Sequence, residues 1–390
     1  MRMIDANTLN PPSQNLPAEL KAMLENGNPR FDVHCHLFNR DYIPDNYFHL
    51  RLPWLMKRRT LRRLIRILKG RKKDDDTWPQ HATDLMEVAR KQTLAEVAAE
   101  MLRQSETDVL FCPLMMDMTQ AFGETTVRDM HVQLDAMREA RNAHPNRILP
   151  FVALDPNNPD MEAIFLKAFS DDYHFYGVKI YPLLGYLPNH PKLMEVFEVC
   201  EALGIPVTTH CGGNTTRALA NSFKLSFRRY DSQDCHVDDL QSVSFKNDNE
   251  KGKFFSDPVR WKPVLERFPK LRLNLAHFGG DEEWKRFSRK DPNTWVHTIV
   301  SMMEDYEHVY TDVSFLLHLT EKRNSGFLET FEELLREKEL VRNRTLYGSD
   351  YYMVLIHEKL PLVTRNFLYR LNDELENKLT RENPRRFLGL

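Results

Sequence analysis

Arg30-Phe31-Asp32-Val33-His34-Cys35-His36-Leu37-Phe38 opens the patterned part of this chain, and its reading decides the rest. As a strand it sends successive side chains to opposite faces, so His34 and His36 share one face while Cys35 takes the other. Two neutral imidazoles on one face are half of a zinc-type site. A first strand that ends in ligands suits a fold whose chemistry gathers at strand ends.

Working outward, β-branched and aromatic runs recur at 31–36, 108–114, 148–154, 176–181, 206–210, 271–277, 309–313 and 345–350. Helical patterns fall at 83–104, 125–143, 159–169, 191–203, 258–268, 294–306 and 327–339, several opened by Pro or Thr suited to a first turn. Eight strands alternating with helices predict an α/β fold, a (β/α)8 TIM barrel. No Gly-x-Gly-x-x-Gly loop follows the first strand, which removes the main argument for a dinucleotide fold.

With 390 residues, 42% of them hydrophobic, the chain can bury a large core, and it reads as one enlarged domain over 1–390. Residues 1–29 form an N-terminal extension, and 39–82 and 212–257 are long, lid-like insertions after strands 1 and 5. The first insertion carries eleven Lys or Arg between 51 and 73, with Leu61, Leu64, Ile65 and Leu68 at helical spacing, which reads as a lid helix with a solvated cationic face. In the second, Arg217, Arg228 and Arg229 are surface charge by default, although arginines near a metal would suit a carboxylate. A formal net charge of −2 gives no general attraction to nucleic acid or anionic membrane. Five cysteines at no framework spacing read as reduced thiols, and no apolar run is long enough to span a bilayer. With no secretory segment after Met1, the expectation is a soluble cytoplasmic protein, with a homo-oligomer allowed.

Polar residues arrive repeatedly at the ends of the expected strands: His34 and His36 on the first, Lys179 on the fourth, His210 on the fifth, His277 on the sixth and Asp350 on the eighth. Only 15 histidines occur in the chain, so four at strand ends is a concentration that chance rarely gives.

These pieces, with Gly177-Val178-Lys179-Ile180-Tyr181-Pro182, Gly204-Ile205-Pro206-Val207-Thr208-Thr209-His210, Phe255-Ser256-Asp257-Pro258 and Tyr347-Gly348-Ser349-Asp350, resemble the amidohydrolase superfamily of metal-dependent barrels. The resemblance covers most of 30–390 and is nearest to the branch of hydrolases and nonoxidative decarboxylases. It implies a divalent metal, zinc foremost, as one or two ions. The ligands it implies are His34, His36, His210 and Asp350, joined by His277 and by Lys179 if that lysine is carboxylated. Asp350 would take the proton of a metal-activated water, and His277 would polarise a substrate carbonyl. Lys179 and Tyr181 are candidate substrate contacts, Lys179 facing an anionic group when uncarboxylated.

The leading expectation is a hydrolase attacking a small-molecule amide, lactone or ester, with a carboxylate-bearing substrate in view. A decarboxylase of the same fold is the alternative, and a noncatalytic ligand-binding protein a further one. A TatD-type nuclease shares Asp-x-His-x-His but usually places Glu where this chain has Lys179, so nucleic acid is not expected.

Overall fold

The strand runs become β1 (Arg30–Cys35), β2 (Val109–Pro113), β3 (Phe151–Leu154), β4 (Gly177–Ile180), β5 (Val207–Gly212), β6 (Ser222–Tyr230), β7 (His236–Ser244), β8 (Leu273–Gly279), β9 (Val309–Asp312) and β10 (Thr345–Leu346). The computed structural model describes residues 9–14, 16–44, 87–122, 129–213, 218, 220–231, 235–316, 319, 325–351, 353–356 and 360–390. Eight of these strands stand where the sequence pattern puts them. β1 and β2 pair in parallel, and a six-stranded parallel sheet runs β3-β4-β5-β8-β9-β10.

Isolated parallel bridges connect the two sheets on both sides. Phe111 meets Ile148 and Leu114 meets Phe151 between β2 and β3, while Cys35 meets Tyr351 beyond β10. On that second side Val33 N donates to Tyr347 O at 3.0 Å and His36 N to Tyr351 O at 2.8 Å. The architecture is α/β with a mostly parallel sheet.

Several strands are trimmed at their ends, and two are markedly shorter than expected. The 148–154 run starts its ladder only at Phe151, after Pro150, which has no N–H to donate. The 345–350 run keeps regular pairing over Thr345–Leu346 alone, then bonds singly to β1 through Tyr347 O and Asp350 N, where the backbone enters the left-handed region, φ 53° at Asp350.

Helices form where caps meet periodic apolar faces. Leu94–Arg103 begins with a capping box, Thr93 accepting from Glu96 N while the Glu96 side chain reaches back, and buries Leu94, Val97, Ala98 and Met101 as one stripe. Single N-cap bonds start two other helices, Asp129 accepting from His131 N at Met130–Ala143 and Thr294 from His297 N at Trp295–Asp305, each such cap worth about 1 kcal/mol. At the N-terminal ends of β1 and β2, Arg30 Nε and Nη2 reach Asp108 at 3.0 and 2.6 Å. This ion pair staples the end of the sheet away from the histidines.

Of the first insertion, residues up to 44 are described, so the basic segment 51–73 lies outside the described residues. The second contains the antiparallel hairpin β6–β7 and the helix Asp248–Ser256. Arg228 is occupied there, with Asp238 at 2.7 Å and Glu195 at 3.7 Å, which answers its charge away from the strand-end histidines. No described helix is long and apolar enough to cross a membrane. Among the cysteines, Cys35, Cys112, Cys200 and Cys211 are buried and free, and Cys235 is exposed and free.

Candidate active site

β1 delivers His34 and His36 to one face as its alternation requires, and each ring is fixed by a partner on its Nδ1. His34 Nδ1 lies 3.0 Å from Asp312 Oδ2, and an ionised carboxylate can only accept, so the ring donates. His36 Nδ1 donates to the carbonyl of Leu114 at 2.7 Å. Both rings are thereby set in the tautomer that leaves Nε2 with a free lone pair.

Asp350 is brought opposite them by the backbone. Its N–H donates to His34 O at 2.8 Å, and Asp32 Oδ1 accepts from Ser349 N at 3.0 Å and His34 N at 3.3 Å, lacing β1 to the Tyr347–Asp350 turn. Burial pushes the Asp32 carboxyl up to about 7. Gly348 permits this approach, since a Cβ there would stand 2.5 Å from His34 Cβ and 3.1 Å from Ser314 Cβ.

Three acceptor atoms then face one another. Asp350 Oδ1 is 3.2 Å from His36 Nε2 and 3.7 Å from His34 Nε2. His34 Nε2 and Asp350 Oδ1 are buried without a hydrogen-bond partner. Two lone pairs against a carboxylate repel unless a proton or a cation lies between. Burial disfavours the proton on His34, whose pKa falls to about 3 in spite of Asp312. Burial works to raise Asp350, but the His36 and His34 rings beside it outweigh burial and hold the carboxyl at about 2. An N, N, O set of buried, oriented donors fits a divalent metal.

Asp312, at the end of β9, is the residue the sequence reading passed over. Its Oδ2 also accepts from Asn274 Nδ2 at 2.7 Å, and its Oδ1 from Ser314 Oγ at 2.5 Å and from the backbone N–H of His277 and Ser314 at 3.0 Å each. These donors and His34 overcome burial and keep the carboxyl well below its ordinary range. It is the carboxylate that fixes the orientation of the His34 ring. Its signal was available, because Asp312 occupies the same strand-end position as the residues that were picked. Asp312→Asn is expected to weaken divalent-metal affinity by about 10–100-fold while the fold survives. Competition against a chromophoric chelator reads this, and unchanged affinity would show that His34 needs no such orientation.

His277 and His210 form a second pair. His277 Nε2 is 3.0 Å from His210 Nδ1, His210 Nε2 is 3.1 Å from Gly212 O, and His277 Nδ1 is 3.0 Å from Ser314 O. Ser314 Oγ also lies 2.9 Å from His277 Nδ1, so that nitrogen faces both the hydroxyl and the carbonyl of Ser314. Burial disfavours a positive charge on either ring. His277 and Phe278 also hold positive φ, 66° and 44°, a strain that persists only where surroundings enforce it.

Lys179 is buried beside this group. Burial pulls its ammonium down to about 8 against the attraction of Asp312 and Asp350. Tyr181 packs its ring edge-on against His210, centroids 4.9 Å apart. The structure thus gathers His34, His36, Asp350, His210, His277, Lys179 and Tyr181 at the C-terminal ends of the strands, and adds Asp312, Ser314 and Asn274.

The amidohydrolase family model matches residues 31–390. No curated protein matches the chain in sequence. Among solved structures, the 2,6-dihydroxybenzoate decarboxylase from Rhizobium is similar with TM-score 0.53 at 14% identity, over 93% of this chain and 99% of that one. A 5-carboxyvanillate decarboxylase from Novosphingobium aromaticivorans, with bound manganese and 3-methoxy-4-hydroxy-5-nitrobenzoic acid, gives 0.56 at 13% identity over 94% and 98%. An amidohydrolase from Burkholderia multivorans with bound HEPES gives 0.51 at 14% over 93% and 99%. At these identities the likeness is one of fold.

Proposed function

The chain belongs to the amidohydrolase family, and from that premise we propose that it is a metal-dependent hydrolase acting on a small-molecule amide, lactone or ester. The observation that carries this reading is the convergence of His34 Nε2, His36 Nε2 and Asp350 Oδ1, of which His34 Nε2 and Asp350 Oδ1 are buried with no hydrogen-bond partner. We take the bridges at 111/148, 114/151 and 35/351 as closing an eight-stranded barrel in one domain over 1–390, with 212–257 and 39–82 as its lid-like insertions.

His34, His36 and Asp350 would hold the metal, zinc first, and His210 is kept as a further proposed ligand. A bound divalent cation supplies Lewis acidity, bringing water ionisation from a pKa of about 15.7 toward ~7. Asp350, ionised at neutral pH, receives the water proton and passes it to the leaving group. His277 is proposed to support developing negative charge on a carbonyl oxygen through Nε2, in exchange for its contact with His210. Asp312 keeps His34 in its donor tautomer throughout. Lys179, taken as uncarboxylated, offers a buried cation to an anionic substituent, with Tyr181 beside it.

Decarboxylation is the second reading, favoured by a buried lysine suited to a carboxylate and by two neighbours named as decarboxylases. The ionised state of Asp350 supports a base over an acid that would protonate carbon. A panel of lactones, esters and amides, run beside carboxylated phenols with detection of carbon dioxide, separates the two. Water-dependent cleavage is the expected result, and carbon dioxide release without hydrolysis would replace this reading with the other. Intact mass checks Lys179, for which the unmodified value is expected.

A further inference from the structure

The hairpin β6–β7 has one covered edge and one open edge. Asp231 N donates to Cys235 O at 2.9 Å and Phe245 N to Asn221 O at 2.9 Å, which fixes the hydrogen-bonded pairs at both ends of the ladder. In an antiparallel ladder such pairs alternate with non-bonded ones, so Leu240, opposite Ser226, turns its N–H and C=O outward, as do His236, Asp238, Ser242 and Ser244. On the β6 side the outward groups of Arg228 are met by Asn189, at 2.7 and 3.1 Å. On the β7 side no described backbone group pairs with them, and the Leu240 N–H has only the carboxylate of Asp239 at 2.8 Å.

The hairpin is also held firmly. Leu225 is buried, Phe223 packs on Phe255 with centroids 5.2 Å apart, and Arg228 is paired to Asp238 at 2.7 Å. Lys251 Nζ, itself buried, clasps the chain entering the hairpin through Ala218 O, Ala220 O and Asn221 Oδ1 at 2.7, 2.9 and 3.1 Å. The free edge is thus rigid, and it carries Leu240 at 69% and Val237 at 40% exposure. Proteins ordinarily blunt such edges with lysine, proline or bulges, and β7 has none of them.

We infer that this edge is a homodimer contact, in which β7 of two copies pairs antiparallel about a two-fold axis through Leu240. The occupant is named by self-complementarity. Leu240 is the centre of His236–Ser244, so the axis sets Leu240 beside Leu240, Val237 beside Val243, Asp238 beside Ser242, Asp239 beside Gln241 and His236 beside Ser244. Every outward N–H and C=O finds a partner, apolar meets apolar, and no acid faces an acid. Moving the axis to Asp238 would place that acid against its own copy and lose the pairing.

A contact made by one strand edge is small, so association is read at high protein loading, about 100 µM. Sedimentation equilibrium is expected to find a dimer for the wild type. Ser242→Pro removes an outward N–H without touching the β6 ladder, and Leu240→Lys sets two ammonium groups across the axis. Each is expected to weaken association by at least about tenfold, with an unchanged thermal midpoint. Independently, Leu240→Cys in a Cys235→Ser background is expected to form an intermolecular disulfide under mild oxidation. A monomeric wild type, a dimer untouched by both edge variants, or no cross-link would overturn the inference.

Discussion

Replacing His34 and His36 together by alanine is expected to leave a folded protein that binds essentially no divalent metal and has lost activity by roughly 10³-fold or more, since the cation supplies several kcal/mol of charge stabilisation. The reasoning starts from repulsion. In the intact site two fixed lone pairs and a carboxylate lie within 3.7 Å, an arrangement that is unfavourable without a cation. Removing both rings ends the repulsion and the affinity together, and the lost packing costs on the order of 1–3 kcal/mol. Circular dichroism should retain its native form while elemental analysis falls to background. A variant that keeps its metal would show that the donors lie elsewhere.

Asp350→Asn is the second large effect, a fall in kcat of about 10²–10⁴-fold with a smaller change in KM. The amide keeps the shape but cannot take a proton. The sign of the pH dependence separates the base role from an acid role. Because the folded carboxyl sits at about 2, it is ionised throughout the range above that, and acidification from pH 7 to 5 takes nothing from it. A reaction that needed protonated Asp350 would instead speed up as pH falls. Wild-type kcat that climbs toward acid would therefore contradict the assignment, whereas loss of kcat in the variant at every pH supports it.

The contrast between what the sequence revealed and what it concealed follows from the range of the forces involved. Strand positions were legible because each is a local pattern: 31–36, 206–210 and 309–313 are short apolar runs bounded by turn or cap residues, and backbone pairing respects them. The strand-end histidines were legible for the same reason, one alternation apart or at the last position of a run. Asp312 was not picked, although it ends its strand, because its role is defined by partners remote in the chain: His34, Asn274, His277 and Ser314. No spacing encodes that set. Gly348 is similar, a glycine whose need arises only from the nearness of His34.

The hairpin β6–β7 was readable in principle, from Phe223, Leu225 and Phe227 in period two, yet it was taken only as part of a long insertion. Its partner strand is polar and exposed, so half of the pattern is missing. The His210–His277 contact lay beyond sequence for another reason. It depends on the bulge after His210 and on the left-handed backbone at His277, which no propensity predicts.

Anomalous diffraction from a crystal of the zinc-saturated protein tests the central claim most directly. The expected result is one strong peak about 2.0–2.2 Å from His34 Nε2, His36 Nε2 and an Asp350 oxygen. A map with no peak at those atoms, or with the ion held by other residues while they stay in mutual contact, would contradict it.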